Sequence, residues 1–201
     1  MSDEVLDPTT VSADPFEQFA AWYDDAADLP GDRDAVTLVT ADARGRPSGR
    51  MVLLRHRDST SYGWFTNYAS RKGRELAANP RAALVWYCEP MGRQVRVEGL
   101  VAPMAAAQSD AYFARRPRGH QLSAWASAQS EVIASRAELE ARLADAEARF
   151  AGRDVPRPEH WGGFRLTPDA FEFWRHRDDR LHDRVAYRRA GDHWERSRLS
   201  P

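Results

Sequence analysis

Between residues 35 and 104 the chain carries five strand-like runs, most of them joined by links of turn length. "AVTLVTAD" (35–42) alternates apolar and polar positions and is rich in β-branched residues. "RMVLLRHRD" (50–58), "YGWFTN" (62–67), "RAALVWYCE" (81–89) and "RQVRVEGLVAPM" (93–104) follow it. Parallel neighbours need a long crossover, whereas "ARGRP" and "PMG" are turn-sized. The C-terminal stretch returns to strand patterning in "GGFRLTPDAFEFWRH", "RLHDRVAYRR" and "HWERSRLSP". The expectation is a mainly β (α+β) chain, with six or seven antiparallel strands closing into a barrel and helices at its ends.

Helical signals fill the remainder. Asp14 offers an N-cap and Pro15 a first helical residue, with Phe16, Phe19, Ala20 and Tyr23 at helical spacing and an end near Pro30. "SRKGRELAANP" reads as a short helix capped by Ser70 and stopped at Asn79-Pro80. "AAAQSDAYFARRP" and "GHQLSAWAS" are further helical pieces. "SRAELEARLADAEARF" (135–150) has a capping box, Ser135 and Glu138, and a stripe of Leu139, Leu143 and Ala146. Residues 1–13 read as a flexible segment and 14–201 as one domain.

Composition removes several function classes. A net charge of −1 and a pI near 6.6 argue against a non-specific nucleic-acid binder. Cys88 is the only cysteine, so no internal disulfide forms and the expected compartment is a reducing cytoplasm. The start lacks a signal-peptide pattern, and the longest apolar run, 82–88, is too short to span a bilayer. The histidines at 56, 120, 160, 176, 182 and 193 lack metal-ligand spacing, and no metal is expected.

Three cationic stretches carry chemistry. Arg50 and Arg55 bracket a strand, on opposite faces if its alternation is unbroken. Arg71 and Lys72 open a short helix, where cations are unfavourable unless an anion binds; Lys72 is also the only lysine. In "DDRLHDR" (178–184) a strand would put Arg180, His182 and Arg184 on one face, a row that asks for an anion from nearby aspartates or from a ligand.

With these motifs in view, the chain resembles the pyridoxine/pyridoxamine 5′-phosphate oxidase family from about residue 15 to Pro201. "RMVLLR", "FTNYASRKGREL", "RQVRVEG", "YFARRPRGHQLSAWASAQS", "WGGFRL", "EFW" and "RLHDR" carry the resemblance in order. It implies an FMN-binding split β-barrel, a homodimer with FMN at the interface, and oxidation of pyridoxamine or pyridoxine 5′-phosphate by O2, giving peroxide. The FMN contacts it implies are Arg50, Met51, Val52, Leu53, Leu54, Phe65, Thr66, Arg71, Lys72, Gln94, Gln129, Ser130, Trp174 and Arg184. Arg55, Tyr112, Arg116 and His120 match ligands of the substrate phosphate, and Arg180 and His182 match the catalytic pair over the pyridine ring.

The departures from the family pattern all fall on the substrate side. Arg55 stands for a usual lysine and His120 for a small residue. "WRHRDDR" replaces a glycine-containing linker, and the basic, aromatic N-terminal segment of the family has no counterpart before Phe16. Two alternatives stay open: a paralogous flavin oxidase of the phenazine-biosynthesis type, and a non-catalytic flavin- or vitamer-binding protein.

Overall fold

The computed structural model describes residues 5–201. Nine strands form one antiparallel sheet: β1 (Ala35–Ala41), β2 (Pro47–Leu53), β3 (His56–Arg57), β4 (Tyr62–Asn67), β5 (Arg81–Cys88), β6 (Arg93–Pro103), β7 (Trp161–Arg175), β8 (Asp183–Ala190) and β9 (His193–Arg198). The order is β2-β1-β5-β6-β7-β4-β3, with β8 and β9 added beside β7. Five helices surround it: α1 (Pro15–Asp25), α2 (Arg71–Ala78), α3 (Ala106–Ala114), α4 (Arg118–Ala126) and α5 (Arg136–Arg149). The main path holds seven strands, within the six or seven expected, with β8 and β9 paired beyond it; the run read as one strand over 50–58 divides between β2 and β3.

The division of 50–58 has a backbone cause. Leu54 N–H donates to Asp34 O on the β1 side, while Arg55 N–H donates to Gly63 O on the β4 side. The chain therefore passes from one neighbour to the other, which is a barrel corner rather than a continued strand. Strand β7 is the spine. It pairs with β6 along one edge, and with β4 (161–166) and then β8 (170–175) along the other. A bulge between Glu98 and Gly99 faces Pro168. Gly99 is required there, since a Cβ would lie 2.1 Å from Thr167 O.

Alternation on β1 and β5 sends Val36, Leu38, Leu84 and Trp86 to the core. Helix α1 covers that core with Phe16, Phe19, Trp22 and Tyr23, and Asp14 Oδ1 caps it by accepting from Phe16 N–H at 2.8 Å. A smaller apolar cluster joins α3, α4 and α5 to Trp161. The predicted caps at Ser70 and Ser135 both form.

Two expectations are corrected. Residues 5–13 are packed rather than flexible: Leu6 and Val11 are buried in the core, and Tyr187 Oη donates to Ser12 O at 2.9 Å. The remainder of that expectation, residues 1–4, lies outside the described residues. The row Arg180, His182, Arg184 does not share a strand. Asp178–Arg180 form a 3₁₀ turn with positive φ at Asp179 and Arg180, and β8 begins at Asp183. Asp183 is buried by Arg177 Nε at 2.8 Å and by Leu6 N–H at 3.2 Å, which ties the strand start inward and leaves the preceding residues to turn.

Candidate active site

The end of β4 and the start of α2 build the first group. Ser70, with an extended backbone, caps α2, and Lys72 turns its side chain back toward β4. Its Nζ donates to Thr66 Oγ1 at 3.1 Å, Gln129 Oε1 at 2.9 Å and Ser70 Oγ at 3.4 Å. All three acceptors are neutral, and Lys72 is only 9% exposed. Burial, with the Arg50 charge nearby, lowers its pKa to about 8. A buried ammonium without a carboxylate partner is costly, and a dianionic ligand would repay that cost.

Arg50 and Arg71 approach the same place through Glu75. Arg50 donates from Nη1 to Leu38 O at 3.2 Å, and Arg71 Nε donates to Glu75 Oε1 at 2.8 Å. Burial alone would raise the Glu75 carboxyl. Hydrogen bonds from Thr40, Ser48 and Arg71, together with the Arg71 charge, hold it at about 2. Glu75, Thr40 and Ser48 are functional candidates that the sequence reading passed over; the spacing of Arg71 and Glu75, four apart on a helix, was the available signal.

Beside this group lies an aromatic stack. The Phe65 and Tyr112 rings are 3.8 Å apart and 4° from parallel, and Trp161 continues the stack 5.6 Å from Phe65. Arg116 lies over the Trp161 ring at 4.5 Å, with its Nη1 buried and without a hydrogen-bond partner. Burial lowers the Arg116 pKa. Arg116, Trp161, Asn67 and Gln129 line a cavity of about 370 Å³. Ser130 follows with φ of 74°, and His120 is exposed in the first turn of α4.

A second group gathers on β6, β7 and β8. Gln94 pairs with Trp174, and Trp174 with Arg184. Arg184 and Arg96 each hold Glu172 at 2.8 Å. The His182 ring lies 4.6 Å from Trp174. Arg177 N–H donates to His182 Nδ1 at 3.1 Å, so neutral His182 carries its proton on Nε2. Arg180 is exposed in the turn just before.

Other expected residues fall apart from both groups. Arg55 is ion-paired to Asp34, which also accepts from Tyr23 Oη. Among the described residues no hydrogen bond or ion pair joins it to Tyr112, Arg116 or His120. Met51 and Leu53 are exposed on the outer sheet face, while Val52 is half-buried and Leu54 buried. On that face Leu53 on β2 and Trp174 on β7 are separated by four strand spacings, roughly 19 Å. The hydrogen bonds of Lys72 and the ion pairs of Glu75 stay within the first group, and those of Arg184 and Glu172 within the second. No helix there is long and apolar enough to cross a membrane.

Comparison with known proteins agrees along the whole barrel. Residues 18–150 match the family described as pyridoxamine 5′-phosphate oxidase, and 161–201 match the pyridoxine 5′-phosphate oxidase C-terminal dimerisation region. The pyridoxine/pyridoxamine 5′-phosphate oxidase of Thermosynechococcus vestitus is 57% identical over 190 residues, 94% of this chain and 89% of that protein. The protein of the same name from Rubrobacter xylanophilus is 53% identical, covering 94% and 87%. Among solved structures, PhzG from Burkholderia lata, in complex with tetrahydrophenazine-1-carboxylic acid, superposes with a TM-score of 0.91 at 30% identity, covering 99% and 98% of the two chains. A likeness of fold alone extends to a pyridoxamine 5′-phosphate oxidase-related, FMN-binding protein of Nostoc punctiforme, with a TM-score of 0.74, 17% identity, and coverage of 95% and 100%. The family matches over 18–150 and 161–201, with identity above one half across 94% of the chain, place it in the pyridoxamine 5′-phosphate oxidase family.

Proposed function

We propose that the protein is an FMN-dependent pyridoxine/pyridoxamine 5′-phosphate oxidase acting as a homodimer. The observation that carries this reading is the Lys72 site: a buried ammonium held by Thr66, Ser70 and Gln129, with Arg50 and Arg71 close by. That donor set fits the phosphate of FMN, and identity to oxidases of this name reaches 57%.

Lys72, Arg71 and Arg50 would hold the cofactor phosphate, and Thr66 and Gln129 would keep the ammonium aimed. When bound, FMN supplies hydride acceptance and reoxidation by O2. Arg116, with its free Nη1, and Tyr112 would grip the phosphate of the substrate. His182, protonated on Nε2 when neutral, offers a donor to the substrate, and Arg180 adds a charge beside it. These side chains orient the substrate and hold protons; none acts as a nucleophile. Gln94, Trp174 and Arg184 lie in register on β6, β7 and β8, away from the β4–α2 junction that holds Lys72. A second copy would bring them to the same cofactor, in keeping with the match of 161–201 to a dimerisation region.

The test is direct. The purified protein should be yellow and release FMN on denaturation. With pyridoxamine 5′-phosphate and O2 it should yield pyridoxal 5′-phosphate and peroxide. A protein that neither carries nor takes up FMN refutes the reading. FMN binding without turnover of either phosphorylated vitamer removes the substrate assignment. Flavin reduction by another metabolite would then favour a PhzG-like oxidase.

A further inference from the structure

A carboxylate at the heart of an anion site is electrostatically out of place. Glu75 is 6% exposed, and donors from β1, β2 and α2 converge on it. Oε2 accepts from Thr40 Oγ1, from Ser48 Oγ at 2.7 Å and from Arg50 Nη2 at 3.3 Å. Oε1 accepts from Arg71 Nε at 2.8 Å. An exposed i,i+4 pair contributes little, and burying this acid beside two arginines needs another reason.

The geometry supplies one. Arg71 is more than half exposed and, among the described residues, its side chain is hydrogen-bonded only through Nε, to Glu75; both Nη groups there remain open to another acceptor. A guanidinium held at Nε presents its Nη fork in one orientation, which suits a phosphate. Arg50 is braced from the same carboxylate, through Nη2 and the shared Ser48 hydroxyl. The charges also balance. Arg50, Arg71 and Lys72 less Glu75 leave a surplus of two positive charges, which matches a phosphate monoester dianion.

We propose that Glu75 is a positioning residue of the cofactor site: it aims Arg71 and braces Arg50 so that the pocket selects a phosphorylated flavin over an unphosphorylated one. This rests on the FMN reading above. Glu75 touches no ligand and acts only through the two arginines.

The experiment compares FMN with riboflavin on the full-length chain stripped of flavin, by quenching of flavin fluorescence. The wild type should prefer FMN. In Glu75→Gln the ratio of FMN to riboflavin affinity should fall about tenfold, because FMN binding weakens while riboflavin binding holds. Arg71→Ala should lower the ratio similarly, and adding Glu75→Gln to it should change the ratio less than about twofold, since the two act as one unit. Arg71→Lys, at an exposed position that leaves the fold alone, keeps the charge but loses the Nε anchor. It should lower the ratio too, and it carries the test if Glu75→Gln does not fold. An unchanged ratio in Arg71→Lys, a risen ratio in Glu75→Gln, or equal weakening of both flavins overturns the proposal. A wild type that binds neither flavin overturns the FMN reading itself.

Discussion

Lys72 Nζ donates to Gln129 Oε1 at 2.9 Å, joining the start of α2 to the loop between α4 and α5. The buried lysine that makes this bond renders the proposed cofactor site responsive to pH. Burial holds Lys72 at about 8, below the usual lysine value. A phosphate monoester is already dianionic above its second pKa of about 6, so only the lysine titrates near pH 8. An anion favours the protonated ammonium, so FMN affinity should be flat between about pH 7 and 7.5 and weaken as pH rises beyond 8. Lys72→Met should abolish that slope and cost about 10- to 100-fold in affinity. Fluorescence titrations from pH 7 to 9.5 test both; a slope surviving in Lys72→Met would assign it elsewhere.

Acid stability should report Glu75. Its folded pKa of about 2 lies below the ordinary 4.5. The stability it contributes is complete above 4.5 and is lost as pH falls from there toward 2. Urea melts at pH 5 and pH 3 should show a larger drop for the wild type than for Glu75→Gln. Equal drops would mean the carboxylate is not held as described.

The Phe65–Tyr112 stack separates packing from binding. Tyr112→Phe keeps the rings and removes the hydroxyl. It should leave Tm unchanged and raise KM for the phosphorylated substrate several-fold. Tyr112→Ala should also cost about 1–3 kcal/mol of stability. Unaltered KM in Tyr112→Phe would remove the hydroxyl from the substrate site.

In the proposed function Arg180 and His182 serve the reaction rather than cofactor retention. Their alanine variants should slow flavin reduction by substrate by about 100-fold, the scale of a lost proton-holding group, while FMN affinity stays near wild type. Stopped-flow reduction beside a flavin titration tests this, and equal damage to both would contradict the assignment.

The N-terminal segment should be structural. Leu6 is buried and its N–H meets Asp183, while Arg198 ties Asp7 at 2.7 Å. Leu6→Ala should destabilise by about 2–3 kcal/mol, as other buried leucines do. A denaturation midpoint equal to wild type would show the segment detached in solution.

Much of this was readable in the sequence. The boundaries of β4 and α2 follow from "YGWFTN" and the Ser70 cap, because alternation and capping are local signals. The proposal of an anion at Lys72 came from the helix dipole, again a local argument. What stayed hidden was non-local. The corner at Leu54–Arg55 depends on hydrogen bonds to two different strands. The break before Asp183 depends on burial of that acid against Leu6 and Arg177, residues 177 and 6 positions away. The capture of Arg55 by Asp34 likewise joins residues 21 apart, a pairing no period reveals.

Strand β7 begins at Trp161, under the aromatic stack, and ends beside Trp174, in the second group, after roughly 40 Å of extended chain. Both of its edges are occupied, by β6 on one side and by β4 then β8 on the other. One inserted or deleted residue within it would invert every side chain downstream and shift one group against the other. Natural variation in length is therefore closed to this strand, beyond the single bulge at Gly99 that it already accommodates. It is open instead to the loop between α5 and β7, so insertions in this lineage should collect there and leave the register of the two groups untouched.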